Sequence, residues 1–330
     1  MAVNYAFGSC SGELETLNLP KTTLELLQAS CAPGTWKQDH AVTKQWFAFC
    51  TTNHVIKPHK PSIAQVLQFL SELFDKGSSY ISINTARSAL SIILHSIDGE
   101  KVGCHPLVVR LLKGVSRRRP PQSKYVTTWD PAKVLNLFDS WEESDHLSLE
   151  KLSLKLVGLL ALASGQRAQT LVSIKVDNIV INNDVQIIIS DRLKTTKPGR
   201  ITELLFSQYP TKKLCVKNTL EEYLKRTKIH RTSDRKQLLL SFRNPHNQIT
   251  SQTLAKWLKR VLEMASINTN EFSAHSFRHA STSKALRSGV PIDSIFKAAG
   301  WSSNSKMFAR FYNRPVVDNK NSFMSGVLKM

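Results

Sequence analysis

A chain of 330 residues, 41% of them hydrophobic, is long enough to bury two cores of ordinary domain size. Its 45 lysines and arginines against 25 aspartates and glutamates leave a formal charge of +20, which suits a polyanion, nucleic acid first, through steering and counterion release. The five cysteines are odd in number, far apart and without a C-x-x-C pair, which argues against a disulfide framework or a zinc site, and no apolar run nears the roughly 18 residues of a membrane span.

The N-terminus carries neither the basic nor the apolar region of a signal peptide, so a cytosolic or nuclear protein is expected. Residues 1–25 hold no strong period and are read as a loose arm. Residues 26–115 are read as a helical domain. Trp36, Trp46, Phe47 and Phe49 mark its first segment. Ile63, Val66, Leu67, Leu70 and Phe74 follow helical spacing in the second, with Ser62 as the expected N-cap and Gly77 as the stop. A third helix is expected from about Ile83 to Ile97 and a short fourth from Pro106 to Lys113. Arg117-Arg-Arg-Pro-Pro-Gln-Ser-Lys124 then breaks the pattern, because consecutive prolines cannot continue a helix and neighbouring arginines repel one another. Residues 116–125 are read as an extended basic linker whose Arg117, Arg118, Arg119 and Lys124 contact phosphates, a solvated hinge being the plainer account.

Residues 126–330 form the second expected domain. Helices are predicted at Pro131 to Ser140 and Leu147 to Ala163, the latter closed by Gly165. Then β-branched residues take over, giving three short strands at Asn178 to Ile181, Val185 to Ser190 and Arg200 to Leu205. Helices resume at Asn218 to Lys228 and Thr250 to Ala265 and continue toward the end. The fold class is mainly α with a small antiparallel β-sheet, and no internal repeat is present.

The chemistry gathers near the C-terminus. Ser273-Ala-His-Ser-Phe-Arg-His279 places His275 and Arg278 one helical turn apart, with Thr282 following on the same face and Phe277 and Ala280 turned toward a core. Gly289 ends this helix, Pro291 starts the next, and Gly300 presents Trp301, whose indole either donates to a phosphate oxygen or fills the core. Ser303 or Ser305 caps a last helix ending at Tyr312, before Pro315. Arg167 follows Gly165 at the end of an apolar helix. Lys194, with Lys197 as a competitor, lies at the tip of the predicted hairpin, where a flexible cation can protonate a leaving oxygen. Two arginines to clamp a phosphate, a histidine to handle a proton and a tyrosine nucleophile are what metal-free attack on a DNA phosphodiester needs. Each residue alone also has an ordinary surface or core explanation. His275 and His279 share the spacing of a zinc pair, but no H-E-x-x-H follows and no cysteine is near, so no metal and no cofactor are expected. No Walker loop and no G-x-S-x-G occur, which leaves ATP use and acyl transfer without support.

In this order the residues resemble the tyrosine recombinase family of phage integrases and their relatives. The likeness spans both halves of the chain, a helical core-binding domain followed by a tyrosine-recombinase-type catalytic domain. Gly165-Gln-Arg-Ala-Gln-Thr-Leu171, Ala274-His-Ser-Phe-Arg-His-Ala-Ser-Thr282 and Ala299-Gly-Trp-Ser-Ser303 look most like recombinases of DIRS-like and Crypton-like eukaryotic mobile elements. The resemblance implies that Tyr312 attacks the scissile phosphate to leave a 3′-phosphotyrosine and a free 5′-hydroxyl. It further implies that Arg167 and Arg278 hold the non-bridging oxygens and that His275 assists proton transfer. Trp301 takes the family's second His/Trp position, and Lys194 protonates the leaving oxygen. It implies double-stranded DNA as partner, a homo-oligomer that is tetrameric on DNA, no membrane, and work in the nucleus for a transposable element. Two departures stand out. Thr170 occupies a place that is usually acidic, and the gap from Trp301 to Tyr312 is longer than usual. Tyr209, Tyr223 and Tyr125 have no better context as nucleophile. The competing expectations are a recombinase-derived DNA-binding protein that no longer cleaves, and a type IB topoisomerase-like relaxing enzyme.

Overall fold

A computed structural model describes residues 20–30, 33–191, 201–232, 235–303 and 305–316 of the chain. It divides between Gln122 and Ser123 into two compact units, each with its own core.

The first unit is helical: α1 (Lys21–Ala29), α2 (Pro33–Thr52), α3 (Ile63–Asp75), α4 (Tyr80–Ile93) and α5 (Pro106–Arg118). Its core is built around Trp46, which packs on Phe49 and Phe69 and donates its indole N–H to the Pro58 carbonyl at 2.9 Å. Ser62 caps α3 as expected, in a reciprocal capping box with Gln65. Three helices differ from the sequence pattern, the first being α1, which begins at Lys21 within the stretch read as a loose arm. α4 starts three residues early because the Ser79 hydroxyl accepts the Ser82 N–H, and it stops at Ile93 because Leu94 is extended. α5 continues through Arg118, so the first residues of the expected linker are helical, and the chain leaves the helix only at Arg119, before Pro120-Pro121. Proline cannot continue a helix beyond its first turn and disfavours helix one residue before itself, but leaves Arg117 and Arg118 free to form the last turn of α5.

The second unit runs α6 (Ala132–Asp139), α7 (Leu149–Ser164), α8 (Ala168–Val172), β1 (Ile179–Ile181), β2 (Val185–Ile189), β3 (Thr202–Phe206), α9 (Val216–Thr227), α10 (Ser251–Met264), α11 (Ser276–Arg287) and α12 (Ile292–Ala299), then a wide π-helical turn, Phe308–Tyr312. α7 is the central post. Leu152, Leu156, Val157 and Leu160 are fully buried, as a helix covered on all sides requires, and α9, α10 and α11 pack around it. The three strands form an antiparallel sheet in the order β1-β2-β3. Ile179 pairs with Ile187, and Ile187 in turn with Leu204. Alternation puts Val185, Ile187 and Ile189 into the core, as a half-buried strand should. The hairpin tip with Lys194 and Lys197, most of the N-terminal arm and the tail beyond Val316 lie outside the described residues.

Gly158 shows how tightly α7 is enclosed. A β-carbon there would come within 2.5 and 2.8 Å of the Phe138 ring, which is itself fully buried on α6. Gly158→Ala is therefore expected to destabilise the unit by about 1–3 kcal/mol through overpacking, against the general helix preference for alanine. Thermal or urea unfolding checks this. Phe138→Leu in the same chain should recover part of the loss, and unchanged stability of the single variant would contradict it.

Candidate active site

The site is assembled where α7 ends and α11 begins. α7 closes at Gly165 with φ +59°, and a β-carbon there would press on Ser281 Oγ and Thr282 Cγ2 at 3.4 Å. Glycine thus serves both the left-handed cap and the close passage of α11. The Gly165 carbonyl, left over by the helix end, accepts Nη1 of Arg278 at 2.7 Å. Gln166 Nε2 donates to the Ala298 carbonyl at 2.6 Å, tying the same loop to the end of α12.

Arg278 is only 1% exposed. The sequence reading placed it on an accessible helix face. The structure instead buries the first turn of α11, whose Ser276 hydroxyl accepts the Trp129 indole N–H at 2.8 Å. Trp301 lies under the Arg278 guanidinium at 4.2 Å, so its role in the site is a stacking platform that also packs on Phe296 and Phe308. Nε and Nη2 of Arg278 are buried and meet no acceptor in good hydrogen-bonding geometry, although the Tyr312 hydroxyl is near enough to favour the charged guanidinium. An arginine in this condition presents a half-used fork to an anion. Burial first, then Arg167, lowers the Arg278 pKa to about 10, with the nearby Tyr312 oxygen acting the other way, and the group remains charged at neutral pH. Thr170, three residues after Arg167, is buried.

Tyr312 reaches the same point from the C-terminal side. Its hydroxyl is 3.0 Å from His275 Nε2, and its ring is 8% exposed, packed on Trp301 at 4.7 Å between centroids. The long gap from Trp301 is taken up by the wide turn, in which Asn313 N–H bonds back to the Phe308 carbonyl at 2.9 Å. Ser305 caps its approach by accepting the Met307 N–H, and the turn is anchored by a small apolar cluster of Ile295, Phe296, Ala299, Trp301 and Phe308. Of the other tyrosines, Tyr223 is fully buried with its hydroxyl bonded to both backbone groups of Leu240, and Tyr125 bonds Ser273 Oγ at 2.6 Å. Tyr209 is 53% exposed.

His275 is exposed at the edge of the cluster, with the inner part of its ring packed against Tyr312 and His279. Burial of the rest, then the charges of Arg278, Arg167 and Lys124, lowers its pKa to about 4. It is consequently neutral near pH 7 and able to accept a proton at Nε2. Arg167 thus joins the cluster through its charge on both His275 and Arg278. Lys124, grouped by sequence with the linker arginines, belongs to this site instead, where Nζ donates to Ser273 Oγ at 3.1 Å. Arg119 does not serve as an open phosphate contact. It donates to the Phe74 and Ser78 carbonyls at 3.1 and 2.5 Å and lies over the Phe74 ring at 4.1 Å, so it packs the first unit, whereas Arg117 and Arg118 are exposed on α5. Sequence reasoning gives no role to Gln166, Ser273 or Ser283, and considers His279 only as half of a metal pair.

A cleft of about 390 Å³ opens beside the cluster, bordered by Gln166, Ala168, Lys256, Lys259, His275 and Arg278. Among the described residues no three His, Cys, Asp or Glu side chains converge on one point, and no helix is long and apolar enough to cross a membrane.

The profile described as the phage integrase family matches residues 130–316. No curated protein matches the chain. Among solved structures, the XerH site-specific recombinase bound to palindromic difH substrate in a post-cleavage complex is similar at TM-score 0.63 and 15% identity, over 88% of this chain and 78% of that one. The Tn1549 transposon integrase in complex with transposon right end DNA gives 0.51 at 14% identity, over 81% and 86%. A lambda integrase tetramer bound to a Holliday junction gives 0.50 at 15%, over 88% and 75%. At these identities the likeness is one of fold.

The depressed histidines have a consequence for stability. His275 and His279, the latter lowered to about 3 by burial and then by His275, Arg314 and Arg278, bind protons more weakly folded than unfolded, where the ordinary value is 6.5. Their contribution is present above pH 6.5 and is lost as pH falls toward 4 and 3. Unfolding should therefore take up protons across that window, and NMR titration should show both rings neutral at pH 6. Duplex DNA should raise the His275 value, because a phosphate offsets the three cations. A ring titrating near 6.5 in the free protein would contradict this geometry.

Proposed function

The chain belongs to the phage integrase family, and from that premise we propose that it is a site-specific DNA recombinase which cuts and rejoins strands through a 3′-phosphotyrosine, with neither metal nor ATP. The single observation that carries the reading is the meeting of Tyr312 Oη, His275 Nε2 and the half-used guanidinium of Arg278 in one chain. In the proposed step, Tyr312 Oη attacks phosphorus and its proton passes to His275 Nε2. Arg278 and Arg167 hold the two non-bridging oxygens, on which charge accumulates in the transition state. The P–O5′ bond breaks, and the leaving oxygen takes a proton from Lys194. The ester bond energy stays in the covalent link, so the 5′-hydroxyl of another strand reverses the step without an external energy source. Exposed Arg117 and Arg118 contact the DNA backbone, and Lys124 adds positive charge beside the scissile phosphate.

The neighbours extend the proposal to assembly. The lambda integrase structure is a tetramer on a Holliday junction, and four single-strand cuts by four protomers fit the same scheme here. The motifs around Arg167, Arg278 and Trp301 support a role for a mobile element of the DIRS-like or Crypton-like kind, acting in the nucleus. A second reading, a DNA-binding descendant that no longer cleaves, is favoured by Thr170 alone. The wide turn before Tyr312 removes the spacing objection, since the hydroxyl still comes to 3.0 Å from His275.

A pool of nicked duplexes incubated with the protein without metal and denatured in SDS should yield a covalent adduct. Tyr312→Phe should abolish it while changing DNA affinity by less than roughly twofold, and Arg278→Lys should slow it by about 10² to 10³. Salt-sensitive binding with no adduct would favour the non-cleaving reading. A mixture of Tyr312→Phe and Arg278→Lys chains should stay as defective as either alone, because the tyrosine meets the histidine and arginine of its own chain. Restored cleavage in the mixture would mean that the nucleophile is supplied across protomers.

A further inference from the structure

Tyr312 carries its nucleophilic oxygen on a side chain with two torsions, and a reacting oxygen must be held close to its line of attack. Its main chain is fixed independently of the ring. Ser283 Oγ, buried on α11, donates to the Tyr312 carbonyl at 2.6 Å and accepts the Arg314 N–H at 3.1 Å, and the Thr128 N–H donates to the Pro315 carbonyl at 2.8 Å. What remains free is rotation of the phenol about its own bonds.

His279 meets that ring. It follows Arg278 on α11, is 5% exposed, and stacks on Tyr312 with 4.2 Å between centroids and 22° between planes. It is itself held edge-on by Tyr125 at 4.8 Å and by His275 at 5.4 Å. Burial and the surrounding cations keep it neutral, so it offers Tyr312 a flat apolar face rather than a charge. Its Nδ1 is buried without a hydrogen-bond partner, and the ring's one polar tie is to the backbone of Phe311, the residue before Tyr312. The hydroxyl of Tyr312 bonds instead to His275.

On the reading of Tyr312 as nucleophile, we infer that His279 is a positioning residue, a neutral planar ring stacked on the Tyr312 phenol that confines the attacking oxygen beside His275 and Arg278. The division of labour is then plain: His275 exchanges the proton, and His279 limits where the oxygen can be. A flat ring of another kind should substitute for it, and a side chain of similar bulk without a flat face should not.

The test compares His279→Phe and His279→Leu in the full chain, by single-turnover adduct formation on nicked duplexes and by carbon-13 NMR of the tyrosine rings. The Tyr312 signal is identified by its loss in Tyr312→Phe. Leucine is expected to lower the cleavage rate by roughly 10- to 100-fold with DNA affinity unchanged, and phenylalanine to recover it to within a few-fold. The Tyr312 signal should be alike in the wild type and in His279→Phe and should move in His279→Leu, which removes one stacked ring while leaving the ring current of Trp301. Equal defects in both variants would mean that the polar contacts of the imidazole, its tie to the Phe311 backbone included, matter rather than its flat face, and a fully active leucine variant would mean that stacking does not matter; either overturns the inference. The NMR comparison needs no cleavage. A Tyr312 signal that moves in His279→Leu, with a wild-type protein that forms no adduct, would sink the strand-cleavage reading while leaving the stacking in place, and a signal that His279→Leu leaves unmoved would sink the stacking itself.

Discussion

A guanidinium removed from water needs its donors met, and Arg278 has them met on one side only. Nη1 is held by the Gly165 carbonyl and the π-face is covered by Trp301, while Nε and Nη2 have no acceptor in good hydrogen-bonding geometry and only the Tyr312 hydroxyl beside the guanidinium favours its charge. Leaving buried charged donors unpaired costs more than an ordinary hydrogen bond returns, so the arrangement makes sense when an anion completes it. Much of the second unit follows from keeping this side chain in place. Gly165 must be glycine to pass close to α11, Gln166 must reach the Ala298 carbonyl, and the Trp301 indole must sit where the end of α12 delivers it.

The same constraint explains the electrostatics. Arg167, Lys124 and Arg278 surround His275 with like charge, which holds the imidazole neutral and keeps its proton affinity low until an anion offsets them. A phosphate entering this group would relieve three repulsions at once, so ligand binding and proton affinity are coupled in one cluster. The charge of +20 acts at longer range in the same sense, drawing a polyanion toward a surface on which α10 contributes Lys256 and Lys259 at the edge of the cleft.

How much of this the sequence disclosed depends on distance along the chain. Spacing made the α11 motif, the three strands and the capping of α3 by Ser62 readable, because each depends on neighbours within a turn or a hairpin. Arg167, His275, Arg278, Trp301 and Tyr312 were recognisable as a set from their order. What spacing does not contain is the burial of a charged side chain. Arg278 looked exposed because nothing local reveals that Trp129 and Gly165, more than a hundred residues earlier, close over its helix turn. Arg119 resembled a linker contact until the Phe74 ring and two carbonyls claimed it, and Lys124 resembled its neighbours until Ser273 drew it to the site. His279 was visible only as half of a metal pair, since stacking on a tyrosine 33 positions away leaves no period in the sequence.

The central claim, that Arg278 keeps two donors for a phosphate, is tested most directly by nitrogen-15 NMR of its Nε–H, with inorganic phosphate as the probe so that no DNA site need be known. The signal, identified by its loss in Arg278→Lys, should be slow to exchange with water in the free protein and should move downfield as phosphate is added, with Tyr312→Phe behaving alike. A resonance that exchanges freely and stays fixed while phosphate binds elsewhere would contradict the account.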